Sequence, residues 1–162
     1  MAEIETPSFL HWLSGSKGAE LALRLKCWSS AILPKDPVLN NQQEQLIIAE
    51  LIEFAVHARR AFELWGQGAI TISNDNNWPR SYLSYECIET DFRKAVNGII
   101  HSNKLQIGWE YPELEPEPYG GAVYAGHFKF CTNRFQGKVW MGGIANAYML
   151  GFMNNLSNND GM

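Results

Sequence analysis

Arg93, Lys94, Asn97 and His101 carry the side-chain types needed to cleave a phosphodiester without a metal. An imidazole titrates near neutrality, so it can take a proton from a ribose 2′-hydroxyl or give one to a leaving oxygen. A cationic neighbour steadies the negative charge that grows on phosphate in the transition state. Asn97, one turn before His101, is placed to orient the imidazole or to donate to a phosphate oxygen. Lys94 and His101 are seven residues apart, within about 20° of each other on a helical wheel. This chemistry calls for no cofactor and no metal. The sequence offers no competing set: it has no paired-carboxylate metal motif, nucleophile elbow, dinucleotide fingerprint or Walker-type phosphate loop. The plain structural alternative is a helix end wetted by His, Asn and Lys.

These residues need a helix to share a face, and the stretch Ser84 to Leu105 reads as one. Ile88, Phe92, Ala95, Val96 and Ile99 fall on one apolar stripe, with Thr90, Arg93, Lys94, Asn97 and His101 opposite. A second polar stripe lies on a long helix expected from Asn41 to Trp65 and stopped by Gly66 and Gly68. There Glu53, His57 and Arg60 follow one another at about one turn, with Arg59 adjacent. They read either as a solvated face with local ion pairs or as a share in the same site. Leu51, Ala55, Ala58 and Phe62, extended by Ile47 and Ile48, make the buried stripe of that helix.

Further helices are expected over residues 7–14, stopped at Gly15, and from Gly18 to Leu33, with Leu21, Leu25, Trp28 and Ile32 on the core side. His11 reads as packing between Leu10 and Trp12. The segment PKDPVLNNQQ is a turn-rich connector. Residues 69–79 read as a short β-like piece and a polar loop. Gln106 to Gly121, with three prolines and four glutamates, reads as an exposed acidic loop or docking strip. Val123 to Thr132 and Lys138 to Met141 form a hairpin. Gly142 and Gly143 then act as a hinge before an apolar last helix, Ile144 to Leu156, and residues 157–162 as a frayed tail. The fold class expected is mainly α: an antiparallel four-helix bundle with a C-terminal β-hairpin inserted before the last helix, in a single helical domain over 1–162.

Composition limits the partners. At 162 residues, with 46% hydrophobic and 19% charged residues, the chain fits one globular core. No apolar run reaches bilayer length, and the start MAEIETPSFLHWL lacks the basic opening of a secretory signal. Cys27, Cys87 and Cys131 form no close pair, which fits reduced thiols in a cytoplasm and argues against a zinc site. A net charge of -4 means that any nucleic-acid contact uses a local basic patch.

The patterns EFAVHARRAFEL (53–64) and DFRKAVNGIIHSNKL (91–105) resemble helices of HEPN-type proteins, the higher eukaryote and prokaryote nucleotide-binding domain, over roughly residues 41–105. That resemblance implies an antiparallel helical bundle, commonly a dimer. Active members are metal-independent endoribonucleases of toxin-antitoxin and antiviral systems. The family motif is an Arg, often followed by a polar residue, then four to six residues and a His. Here seven residues intervene between Arg93 and His101, and Lys94 has the permitted six but lacks a guanidinium. Carried over, the resemblance implies His101 as acid/base, Arg93 or Lys94 as phosphate partner and Asn97 as helper. His57, Arg59 and Arg60 lie outside the motif and join as substrate-binding candidates.

The expected function is therefore RNA cleavage by a toxin or defence effector. A homodimer would lay a second copy over the polar stripe, form a shared cleft and double its local positive charge. The alternative is a non-catalytic helical module that binds an antitoxin, adaptor or inhibitor partner.

Overall fold

The computed structural model describes residues 6–65, 70–72, 88–112 and 121–159. In chain order the elements are α1 (Thr6–Ser30), β1 (Leu33–Pro34), α2 (Pro37–Trp65), α3 (Phe92–Ile100), β2 (Lys104–Glu110), β3 (Ala122–Cys131), β4 (Gln136–Trp140) and α4 (Met141–Asn159). The architecture is not a four-helix bundle carrying one hairpin. Among the described residues, four helices combine with a four-stranded antiparallel sheet whose strands lie between them in sequence.

β3 is the central strand. β2 runs along one side, with Leu105 opposite Phe130 and Ile107 opposite Phe128. β4 and β1 share the other side, with Val139 opposite Phe128 and Leu33 opposite Val123. The expected β3–β4 hairpin is present, its turn closed by Thr132 N–H donating to the Phe135 carbonyl. What the helical reading of 84–105 missed is β2. Lys104, Leu105, Gln106 and Ile107 alternate in exposure as strand residues do. Residues 106–110 are thus strand, while Glu113, Glu115 and Glu117 of the expected acidic loop lie outside the described residues.

The central helix is correspondingly short. Asp91, in an extended conformation, caps α3 by accepting from Lys94 N–H. Before it, Ile88 bridges Lys138 and Asp91 bridges Thr71, so these residues pair as strand rather than extend the helix. Residues 84–87 lie outside the described residues. Phe92, Ala95, Val96 and Ile99 are buried, as their spacing requires.

Two helices are longer than their glycines and prolines suggested. Asp36 accepts from the N–H groups of Val38 and Leu39, so α2 starts at Pro37, in the first turn where a missing N–H costs nothing. α1 runs through Gly15 and Gly18 without a stop. The hydroxyl of buried Tyr148 on α4 donates to the Gly15 carbonyl at 2.7 Å. A Cβ on Gly18 would sit 2.3 Å from that oxygen, so the glycine permits close packing of α1 on α4. Burial holds the Tyr148 phenol protonated far above its ordinary range. Gly142 and Gly143 are the first turn of α4, not a hinge, and residues 157–159 continue that helix. The side chain of His11 lies outside the described residues.

The core joins α1, α2, α3 and α4. Phe54 on α2 contacts Phe92 on α3 and Tyr148 on α4 edge-on, and Phe62 stacks on Phe92 with centroids 4.7 Å apart. The α2–α3 contact thereby fixes how the polar faces of these two helices meet. No helix among the described residues is long and apolar enough to cross a membrane.

Candidate functional site

Arg93, Asn97 and His101 are spaced four residues apart, so they form one line down the outside of α3. Arg93 and His101 are exposed, and His101 is the C-terminal cap, its N–H donating to the Asn97 carbonyl. The imidazole-bearing residue therefore faces solvent, not the core. Arg93 and His101 are eight positions apart along the helix, about 12 Å along the axis. The two side chains therefore suit neighbouring phosphates of one strand better than a single shared one.

The wall facing Arg93 comes from α2 of the same chain. Arg59, Phe62 and Glu63 close a groove of about 120 Å³ with Phe92, Arg93, Val96 and Asn97. Phe62 stacked on Phe92 is its floor. Arg59 Nε donates to Glu63 Oε1 at 3.2 Å, one turn along the helix. The terminal nitrogens of Arg59 and the whole Arg93 guanidinium form no hydrogen bond or ion pair among the described residues. Two guanidinium groups with free donors over an apolar floor form an anion-binding surface.

The structure divides the candidates. Arg59, Arg93 and Asn97 line the groove, and His101 continues the line from Asn97. Lys94 is exposed and outside the groove lining. His57 and Arg60 belong to another side of α2, where Lys17 of α1 is close enough to act on the imidazole. Glu63 was not singled out from sequence. Its signal is the four-residue spacing from Arg59.

His57 has a stability role. Burial pulls its pKa below the usual 6.5, and Lys17 and Arg60 add to this while Glu53 opposes it. Its Nδ1 is buried without a hydrogen-bond partner. Between the lowered folded value and 6.5 the unfolded chain binds more protons, so stability rises with pH across that window and falls on acidification. Thermal unfolding followed between about pH 5 and pH 8 is expected to show a smaller pH dependence in His57→Gln than in the wild type.

A second polar pair is buried in the sheet. Glu110 on β2 and His127 on β3 are 2% and 1% exposed, with Nδ1 donating to the carboxylate at 2.8 Å. The register shifts between Gly108 and Trp109, leaving Gly126 as the extra residue of a β-bulge. A Cβ on Gly108 would meet the His127 ring at 2.0 Å, and one on Gly126 would meet the Glu110 carboxyl carbon at 2.3 Å. The glycines thus leave the room in which the pair lies. Among the described residues, no group of three or more His, Cys, Asp or Glu is placed to hold a metal.

No family model matches the chain, and neither a curated protein nor a solved structure matches it.

Proposed function

We propose that the groove between α2 and α3 binds single-stranded RNA and that His101 cleaves it without a metal, in a HEPN-like toxin or antiviral effector. The observation that carries this reading is the lining itself: Arg59 and Arg93 share one groove with Asn97, and exposed His101 lies one turn beyond. Arg59 and Arg93 hold one phosphate, and His101 serves the adjacent one. There the 2′-oxygen attacks phosphorus and the bond to the 5′-oxygen breaks. The products are a 2′,3′-cyclic phosphate and a 5′-hydroxyl. His101 takes the proton from the 2′-hydroxyl, and water protonates the leaving oxygen. The test is incubation of purified protein with a short labelled RNA in excess EDTA. Fragments ending in cyclic phosphate are expected; intact RNA at equimolar protein would refute the nuclease reading.

Self-association belongs to the same proposal. The outer face of α2 carries Val38, Leu46, Ile52 and Val56, all well exposed, on its solvent side. Asp36 stands at one end of this stripe and Arg60 at the other. A second copy packed antiparallel brings the opposite charges together and sets the two helix dipoles side by side in opposite directions. Each copy then keeps its own groove. Light scattering coupled to size exclusion is expected to give a dimer for the wild type and a monomer for Ile52→Glu/Val56→Glu. The second reading, a non-catalytic module for an antitoxin-like or adaptor protein, rests on the same stripe. A monomeric wild type that leaves RNA intact would favour it.

A further inference from the structure

We infer that Glu63 sets the charge selectivity of the groove, cancelling the advantage that its extra negative charge would otherwise give a terminal phosphate over a phosphodiester. This rests on the reading that the groove binds RNA. Three charged side chains line it: Arg59 and Arg93, each +1, and Glu63, -1, giving a formal sum of +1. That sum is matched by one phosphodiester, which carries a single negative charge. A terminal phosphate carries close to two negative charges at neutral pH and overfills it.

The geometry makes Glu63 a competitor as well as a neighbour. Its carboxylate holds Arg59 Nε at 3.2 Å, on the edge of the guanidinium that a phosphate oxygen would also use. The pair is solvent-exposed, with side chains 45% and 63% accessible, so it exchanges readily and leaves Arg59 available. A phosphate entering the groove replaces the carboxylate on Arg59 and then stays close to its charge. One unit charge at that range in a water-like dielectric changes affinity about threefold for a singly charged ligand and about tenfold for a doubly charged one. Selectivity follows from that difference, because the penalty grows with the charge on the ligand.

The test uses fluorescence anisotropy at low salt with an uncleavable 2′-O-methyl oligoribonucleotide, prepared with a 5′-hydroxyl or a 5′-phosphate. The wild type is expected to bind the two forms equally within about twofold. Glu63→Gln keeps the length and polarity of the side chain and is expected to tighten the hydroxyl form about threefold and the phosphate form about tenfold. Arg93→Ala should weaken both. An unchanged ratio in Glu63→Gln, with Arg93→Ala still weakening binding, overturns the selectivity and leaves the RNA-binding reading intact. Binding that is absent in the wild type, or indifferent to Arg93→Ala, overturns both. Glu63→Ala provides a second variant, and circular dichroism of each confirms that the helices are retained.

Discussion

Glu110→Ala is expected to lower the melting temperature by about 6–12 °C, the equivalent of about 3 kcal/mol in a domain of this size. The carboxylate and its partner His127 are both almost wholly removed from solvent. Truncation takes away the acceptor at 2.8 Å and leaves His127 buried without it. It also empties the space that the side chain fills over Gly126, adding a cavity to the lost hydrogen bond. Glu110→Gln keeps the volume and an acceptor oxygen, so its loss should be clearly smaller. Thermal unfolding by circular dichroism checks both variants, and an Ala variant that melts within a degree or two of the wild type would remove the pair from the account of stability.

The second large effect concerns activity. His101→Ala is expected to slow RNA cleavage by about 10²- to 10⁴-fold, the usual contribution of a positioned acid or base. His101 is exposed at the end of α3, and only its backbone N–H takes part in the cap, so the substitution should leave the melting temperature nearly unchanged. Loss of rate with an intact fold distinguishes chemistry from collapse. A fluorophore–quencher RNA followed with time gives the rate, and equal rates in the two proteins would exclude His101 from the reaction.

The parts of this molecule that follow local periodicity were legible in its sequence. Leu51, Ala55, Ala58 and Phe62 on α2, and Phe92, Ala95, Val96 and Ile99 on α3, repeat at helical spacing and are buried. The alternation in β3 and the turn after it marked the hairpin. Elements defined by their partners were not legible. β1 is two residues long and exists because Val123 and Ala122 pair with it. β2 follows α3 after only three residues, so its alternation merged with the end of a helical stripe. Gly15, Gly142 and Gly143 read as breaks, and Gly18 as the start of a new helix, because a sequence does not show what packs against them, here Tyr148 in the case of Gly18.

The candidate site shows the same division. Arg93, Asn97 and His101 lie along one helix and were readable from spacing alone. That Arg59 faces them while His57 and Arg60 do not depends on the stacking of Phe62 on Phe92, which sets the rotation of α2 against α3. Glu110 and His127 are 17 residues apart, and only strand register and the bulge at Gly126 bring them together. Tertiary contacts of this kind leave no periodic trace.

The most direct measurement is nuclear magnetic resonance of the labelled protein titrated with an uncleavable 2′-O-methyl oligoribonucleotide. The Arg59 and Arg93 side-chain Nε resonances, the Asn97 amide and the His101 imidazole are predicted to shift together along one binding curve, with His57 and Arg60 unmoved. Shifts that leave His101 and Arg93 in place, or that gather around His57 and Arg60, would contradict the groove as the RNA site.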